Sequence, residues 1–331
     1  MKTKSINIFN LNVPCYNRCR YCLLSWDGKI IGIDYHRSVT YAKKLYEWLK
    51  INRPEIEFIY YFGYSMDHPY LFDAIKFMQY TNSPGGKFLQ FDGMKKRTEE
   101  ELKIFLGMLK KSGIETLDFT FYGTKEYHDK FAGRNGDYEL MLRTIDEAIK
   151  QNLEVKVGIP VTKENLDQLD ELVFFFEKID VKLFLFTPHS GGRGINLLAH
   201  KITDIDYNDM SNVVKKYFNR NNNRTPAEWI SFPPKEVENR VLTLSLTPHN
   251  INELETLSFE DVISMLEEQD NKFYSLIPSF NELLVKYSDK NDNRLYSKKD
   301  LYAIYRARYI KEKNLKISDI NDERYSGSIR Y

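Results

Sequence analysis

The 331-residue chain is long enough for one large α/β domain or for one domain with an extension. Its 48 Lys and Arg residues nearly cancel its 47 Asp and Glu residues, so no overall charge attracts nucleic acid or an anionic membrane. The first residues include no continuous apolar segment, and no apolar run approaches the roughly 18 residues of a membrane-spanning helix. We therefore expect a cytoplasmic protein with no membrane partner and no clear nucleic-acid partner.

Short strand-like segments alternate with longer helix-like segments over the first 190 residues. The β-branched and aromatic runs predict strands at 5–12, 57–62, 88–91, 116–121, 154–159 and 182–186. The amphipathic stretches predict helices at 38–50, 70–80, 99–112, 137–152 and 166–178, and Gly113 is placed to cap the third of these helices. Such alternation predicts a parallel sheet with helical crossovers. Six repeats are too few for an eight-stranded barrel, so we expect an α/β fold with a partial (β/α)6 barrel.

The pattern changes after the sixth predicted strand. A polar run at 219–224, followed by Pro233-Pro234, predicts a loop or linker. Beyond it, one strand is predicted at 240–247 and helices at 259–269, 279–287 and 298–313. We interpret residues 1–197 as the core domain and 198–331 as a mainly helical C-terminal extension that covers the open side of the barrel.

The three cysteines of the chain, Cys15, Cys19 and Cys22, lie in one loop directly after the first predicted strand. An odd number in one short loop is a poor disulfide framework, but soft thiolates are good ligands for an iron–sulfur cluster or for zinc. Ligands of parallel α/β folds gather at the carboxyl ends of the strands, where this loop lies. Arg18 and Arg20 would favour thiolate over thiol.

The spacing Cys15-x3-Cys19-x2-Cys22, with the aromatic Tyr21 before the last cysteine, resembles the cluster motif of the radical S-adenosylmethionine (SAM) superfamily. The resemblance implies that the three cysteines are the metal ligands and catalytic residues, each binding one iron of a single 4Fe-4S cluster, while SAM chelates the fourth. In that family an electron from the cluster cleaves SAM to methionine and a 5′-deoxyadenosyl radical, which abstracts hydrogen from the substrate. It also implies an electron donor such as flavodoxin or ferredoxin.

The resemblance covers about residues 5 to 195 and implies contacts to SAM at the strand ends. The segment Gly63-Tyr64-Ser65 is similar to the family's Gly-Gly-Glu-Pro stretch, with a hydroxyl or a backbone carbonyl in place of the acidic side chain. Gln90 or Asp92 takes the place of a polar side chain near the ribose. The implied cofactor-binding residues are Tyr21, Gly63, Tyr64, Ser65, Gln90, Asp92, Thr120, Tyr122, Arg134, Gly158, Ile159 and Pro188.

Several of these residues are given particular roles. The hydroxyl of Thr120 is expected to face the ribose or the carboxylate of SAM, and Arg134 either pairs with that carboxylate or is a solvated loop residue. Gly158 and Ile159 lie on a strand that either meets adenine or is simply buried in the core. His128 is expected to cap or pack the following helix. The glycine-rich loop at 191–194 is interpreted as a turn near the substrate entrance.

The substrate remains open between a small molecule and a peptide. Positions 118–195 resemble the peptide- and protein-modifying branch of the superfamily, whose members usually carry a cysteine-rich C-terminal domain, and this chain has no further cysteine. An auxiliary cluster held by cysteine is therefore excluded. Two other interpretations stay in play: a zinc-stabilised binding or scaffold protein, for which His36 would be a candidate fourth ligand, and a degenerate family member that binds SAM without turnover.

Overall fold

The computed structural model of the protein describes residues 2–10, 15–23, 32–63, 66–234, 239–317 and 319. Two predicted SAM contacts, Tyr64 and Ser65, lie outside these described residues. The strands are β1 (Lys2–Asn10), β2 (Glu57–Phe62), β3 (Phe88–Gln90), β4 (Thr116–Thr120), β5 (Glu154–Pro160), β6 (Lys182–Phe186), β7 (Asn223–Arg224), β8 (Asn239–Leu246) and β9 (Tyr296–Ser297). The helices of the first half are α1 (Tyr35–Asn52), α2 (Leu71–Tyr80), α3 (Glu99–Lys111), α4 (Lys125–Ala132), α5 (Asp137–Lys150) and α6 (Leu169–Glu177).

The second half is mainly helical. Its helices are α7 (Asp204–Asp209), α8 (Asn212–Lys215), α9 (Pro226–Ser231), α10 (Ile251–Leu254), α11 (Phe259–Leu276), α12 (Phe280–Tyr287) and α13 (Lys298–Glu312). Short 3-10 helices lie at Pro84–Gly86, Leu166–Gln168, Gly192–His200 and Arg220–Asn222. No helix among the described residues is long and apolar enough to cross a membrane.

The first six strands run parallel and alternate with helices, which confirms the predicted α/β class. One sheet has the order β2-β1-β8 and the other the order β3-β4-β5-β6. Among the described residues no ladder joins β2 to β3, and the backbone N–H of Tyr60 in β2 instead donates to the hydroxyl of Ser83 at 2.8 Å. The six core strands therefore lie in two parallel sheets, with no closed barrel among the described residues, which is consistent with the predicted partial barrel.

Local sequence signals explain where the elements begin and end. Helix α3 starts with a capping box, in which Thr98 accepts from the N–H of Glu101 and the Glu101 side chain accepts from the N–H of Thr98. Its apolar face at the i, i+4 and i+7 positions is buried in the core. After α3 the chain turns at Gly113 with φ = 87°, so the predicted left-handed cap is confirmed.

The C-terminal half contributes to the sheets as well as packing on them. The strand predicted at 240–247 forms as β8 and pairs in parallel with β1, and Phe218 forms a bridge to Leu185 on the outer edge of β6. Both edge strands of the six-stranded core are thus flanked by the later part of the chain. The prediction of an irregular loop at 219–224 was wrong in part, because a 3-10 turn and β7 form there, and β7 pairs with β9.

Candidate functional site

The cysteine loop at 15–23 is held by backbone hydrogen bonds to the loop after β3 and to the last turn of α4. These bonds are Tyr16 N to Gly93 O (2.8 Å), Arg18 N to Ala132 O (2.7 Å) and Arg20 N to Phe131 O (3.0 Å). Within the loop, the N–H of Cys22 donates to the carbonyl of Cys19 at 3.1 Å. The three thiols are therefore fixed at the strand ends, where the sequence predicts them.

Three glycines with left-handed backbone conformation let neighbouring loops approach the cysteine loop. Gly93, Gly133 and Gly192 have φ angles of 68°, 66° and 53°. A Cβ atom would collide with the loop at each position: at Gly93 with Sγ of Cys15, at Gly133 with Cβ of Arg18 (2.9 Å), and at Gly192 with the carbonyl of Cys22. Glycine is thus required by both conformation and space. The sequence shows these glycines but not that they surround one loop.

None of the three cysteines forms a disulfide, and each is partly shielded from solvent. Burial, with smaller contributions from the nearby charges of Cys22 and Asp92, raises the pKa of Cys15 to about 11. Burial also raises the pKa of Cys19, whose Sγ accepts a hydrogen bond from the Tyr122 hydroxyl at 3.2 Å. Such thiols stay protonated at neutral pH unless a metal centre stabilises the thiolate.

Aromatic rings form a wall beside the thiols. The ring of Tyr21 lies 5.6 Å from Tyr122, 5.7 Å from Phe131 and 5.2 Å from His189, measured between centroids. Tyr122 stacks on Phe131 at 4.4 Å. These rings exclude water from one side of the cysteine loop, which is the environment that a reactive radical needs.

The predicted ribose contacts lie together at the ends of β3 and β4. The Asp92 carboxylate accepts from the backbone N–H of Thr120 at 3.0 Å and from its hydroxyl at 2.9 Å, and the exposed Gln90 amide donates to Asp92 at 3.3 Å. Burial raises the pKa of Asp92 to about 7, although the bonds from Thr120 lower it. A carboxylate beside a hydroxyl suits the hydroxyl groups of a sugar.

Arg134 lies in a buried polar network under the cysteine loop. Its Nη1 donates to the carbonyl of Met94 and, at longer range, to Asn17 Oδ1 (3.4 Å) and Asp137 Oδ1 (3.3 Å). Asn17 in turn donates to Asp137 at 2.8 Å. The Nη1 side of the Arg134 guanidinium therefore helps to hold the cysteine loop in place. The contribution of Asn17 and Asp137 was not predicted, because an Asp at the start of a helix normally signals only a favourable dipole contact.

His128 completes this network. Its Nδ1 accepts from the backbone N–H of Tyr122 at 3.2 Å, so its Nε2 carries the proton and donates to Asp137 at 3.3 Å. The side chain is fully buried, as expected for a packing role. Asp129 caps α5 by accepting from the N–H groups of Gly136 and Tyr138.

The two arginines of the cysteine loop do not extend freely into solvent. Arg18 folds back and donates to the carbonyls of Cys15 and Asn17. Arg20 forms a bidentate pair with Glu164, which also accepts from the Tyr127 hydroxyl at 2.8 Å. The charge of Arg20 is therefore largely balanced by a carboxylate. Glu164 carries no motif signal in the sequence.

The remaining predicted contacts occupy neighbouring strand ends. Gly63 follows β2 and donates to the carbonyl of Asn10 at 3.2 Å. Gly158 and the fully buried Ile159 lie in β5, and a Cβ at Gly158 would stand 2.7 Å from the ring of Phe184. Pro188 follows β6, and its carbonyl accepts from Lys201.

Arg193 provides a test of whether this region fits an anionic group. Its backbone N–H donates to the carbonyl of Cys22 at 3.0 Å. Its Nε and Nη2 atoms are buried and have no hydrogen-bond partner among the described residues. These two donors form the side of a guanidinium that pairs with a carboxylate. Buried donors without partners are costly, so a bound anion beside the cysteine loop fits this structure.

The donor chemistry of the loop also fits an iron–sulfur cluster, since three thiolates on one loop leave one iron open to another ligand. Among the described residues no three His, Cys, Asp or Glu side chains converge tightly enough to hold a metal ion. This finding includes the three thiols, so the ligand assignment rests on the spacing of the cysteines in one loop and not on a converged arrangement of their sulfur atoms.

Three solved structures are similar to this chain at low sequence identity and with TM-scores below 0.5. Streptococcus suis SuiB bound to S-adenosylmethionine shares 12% identity with this chain. The match covers 78% of this chain and 55% of the SuiB chain, with a TM-score of 0.45. Native anSMEcpe with bound AdoMet shares 17% identity over 61% of this chain and 57% of its own, with a TM-score of 0.41. The [FeFe]-hydrogenase maturase HydG shares 15% identity over 94% of this chain and 78% of its own, with a TM-score of 0.44.

The chain spans about half the length of the first two of these proteins. No curated protein sequence matches it. The model of the radical SAM superfamily, however, matches residues 10–176, which include all three cysteines and just over half of the chain. The resemblance seen in the cysteine motif is thereby confirmed, and with it the 4Fe-4S cluster and SAM as the cofactors of the family. The chain belongs to the radical SAM superfamily.

Proposed function

We propose that the protein is a radical SAM enzyme with a single 4Fe-4S cluster on Cys15, Cys19 and Cys22. The observation that carries this proposal is the cysteine loop, which three left-handed glycines and three backbone hydrogen bonds hold at the carboxyl end of the sheet. When bound, the reduced cluster supplies the electron that cleaves the SAM sulfonium, and the resulting 5′-deoxyadenosyl radical takes a hydrogen atom from the substrate. The substrate is a small molecule or a peptide.

The residues around the loop have separate roles in this proposal. Asp92 and Thr120, with Gln90 at the rim, bind the ribose hydroxyls, because their oxygens already form one polar cluster at the ends of β3 and β4. Arg193 pairs with a carboxylate, because its Nε and Nη2 lack partners among the described residues. The rings of Tyr21 and Tyr122 keep water from the thiols.

Gly63, Tyr64 and Ser65 remain our proposal for the amino group of SAM. An acidic residue of the same segment, Asp67, is used elsewhere, because it pairs with the buried Arg97 and accepts from the N–H of Lys95 at 2.6 Å. A backbone carbonyl or a hydroxyl in the segment is therefore the expected acceptor.

We retain residues 1–197 as the core and 198–331 as an extension, which supplies β8 to the edge of β1 and Phe218 to the edge of β6. Enzymes of this family need a reductant, and we propose an electron donor such as flavodoxin or ferredoxin. We also propose a cytoplasmic location, since reduced thiols are maintained there.

The test is anaerobic reconstitution with iron and sulfide, followed by incubation with SAM and dithionite. The proposal predicts brown protein with close to four irons per chain and release of 5′-deoxyadenosine. The Cys22→Ala variant should release none, which separates turnover from background chemistry. Colourless protein that retains one zinc and no iron would instead identify a zinc-stabilised protein, and a loaded cluster without SAM cleavage would identify a member without turnover.

A further inference from the structure

The loop after β6 and the first turn of the following 3-10 helix, called here the β6 loop, contact the cysteine loop at two points. The ring of His189 lies 5.2 Å from that of Tyr21, and its Nδ1 accepts from the N–H of Gly191 at 3.2 Å. Further along, the N–H of Arg193 donates to the carbonyl of Cys22 at 3.0 Å. The position of this loop therefore determines what faces the last cysteine.

Two charged residues from the C-terminal half hold both ends of the segment 188–190. Asp300 accepts from the backbone N–H of Ser190 at 2.7 Å and from its hydroxyl at 3.1 Å. Lys201 lies 2.8 Å from the Asp300 carboxylate and donates to the carbonyl of Pro188 at 2.6 Å. The side chains of Lys201 and Asp300 are 1% and 2% exposed, so these bonds are shielded from competing water.

The helix cap at Asp300 shows that its carboxylate is directed to a distant part of the chain. Ser297 caps α13 and accepts from the N–H of Asp300. In four other helices the acid at this position completes a capping box with its own N-cap residue; these acids are Glu101, Asp206, Glu228 and Glu282. In α13 no such box forms, and the carboxylate contacts Ser190 instead. Asp300 therefore contacts the β6 loop instead of completing a capping box with Ser297.

We propose that Asp300 and Lys201 are positioning residues, through which the C-terminal extension sets the place of the β6 loop against Tyr21 and Cys22 and so controls SAM binding. The inference rests on the proposed function, because it concerns the same SAM site. The two residues act through the backbone of Pro188 and through Ser190.

The test compares two double variants that both remove the buried charges. Lys201→Met with Asp300→Asn keeps a side-chain oxygen that can accept from Ser190, whereas Lys201→Met with Asp300→Leu removes it. Both variants avoid leaving one buried charge unpaired. The measurements are iron content, thermal midpoint, the dissociation constant of SAM, and the electron paramagnetic resonance spectrum of the reduced cluster with and without SAM.

We expect the Leu variant to bind SAM about tenfold more weakly than the Asn variant and to lose the spectral change on SAM addition, at equal iron content. Equal SAM affinity and equal spectra in the two variants would overturn the inference. Should the Leu variant fail to fold, Ser190→Ala decides the matter, because it removes only the hydroxyl bond. It must weaken SAM binding severalfold for the inference to stand.

A matched control is another buried pair, Arg240 with Asp270, whose side chains are 4% and 1% exposed. Arg240 lies opposite Thr3 at the start of β1, at the far end of the sheet from the cysteine loop. Arg240→Met with Asp270→Leu should leave the SAM dissociation constant unchanged. If the wild-type protein binds SAM but does not cleave it, the proposed catalytic activity is wrong. The binding measurements still test the positioning role of Asp300 and Lys201 in that case.

Discussion

The hydroxyl of Tyr122 donates a hydrogen bond to Sγ of Cys19 across 3.2 Å. The same ring stacks on Phe131 and lies edge-on to Tyr21, so the donor is fixed in a buried position. Hydrogen bonds to ligand sulfurs stabilise the reduced, more negative state of an iron–sulfur cluster and raise its reduction potential. Tyr122 is thus placed to tune the cluster as well as to exclude water.

Tyr122→Phe should lower the reduction potential of the cluster while keeping the ring stack. The loss of one hydrogen bond worth about 1 kcal/mol corresponds to about 40 mV for a one-electron couple. Potentiometric titration monitored by electron paramagnetic resonance measures this shift. Tyr127→Phe is the matched control, because the Tyr127 hydroxyl donates to Glu164 rather than to a thiol. The cluster of this variant should have the same reduction potential as that of the wild type.

Gly93→Ala should prevent stable binding of the cluster. The residue has φ = 68°, and a Cβ there would collide with Sγ of Cys15, so the cysteine or the loop after β3 must move. We expect a cost of about 1–3 kcal/mol and a large loss of iron after reconstitution. Iron content per folded chain is the measurement, and full iron content with normal stability would contradict this account.

Gly107→Ala is the control for that experiment. Gly107 lies inside α3, and the nearest atom to an added Cβ is the flexible Gln151 side chain at 3.3 Å. Alanine favours a helix interior by about 0.5–1 kcal/mol relative to glycine. The variant should therefore unfold at a slightly higher urea concentration and bind iron normally.

The sequence predicted the strands more completely than the contacts between loops. β2 and β6 begin and end where the β-branched and aromatic runs predict, because a buried strand needs a continuous local pattern. Helix α4 was missed, since eight residues give too few turns for a clear periodicity. The place of β8 beside β1 was also not predictable, because pairing between residues more than 200 positions apart leaves no local signal.

The candidate site shows the same difference between local sequence signals, which were predictable, and long-range contacts, which were not. The cysteine spacing is sufficient to predict the cluster ligands, because the three cysteines lie within eight residues. Asp137 and Asp300, by contrast, support the cysteine and β6 loops from helices that come much later in the chain. In the sequence, Asp137 and Asp300 look like ordinary acidic residues in the first turn of a helix. Their roles depend on tertiary contacts, which one sequence does not reveal.

Asp137→Asn should destabilise the protein and loosen the cysteine loop. The carboxylate accepts buried hydrogen bonds from Asn17 and His128 and also pairs with the partly buried Arg134. An amide there turns one acceptor into a donor and removes the charge, so we expect a loss of about 2–4 kcal/mol. Urea unfolding measures the change, and a variant as stable as the wild type would show that the network is not needed.

The exposed Asp146→Asn is the companion control for that network. Asp146 pairs with Lys150 at i, i+4 on the surface of α5, where solvent screens the interaction. The same chemical change at this position should leave the urea midpoint unaltered.

Asp118 should make the stability of the protein depend on pH. Burial raises the pKa of this carboxyl from 3.8 to about 6, although Lys156, opposite it on β5, lowers the pKa. The folded protein therefore binds the proton more tightly than the unfolded chain does. This contribution favours folding fully below about pH 4 and is lost as the pH rises through about 6.

Asp118→Asn should accordingly raise the free energy of unfolding at pH 8 by about 1–2 kcal/mol, after allowance for solvent screening, and change it little at pH 4. Urea unfolding of both proteins at the two pH values measures this difference, and an equal effect of the substitution at both would show that the carboxyl does not titrate as described.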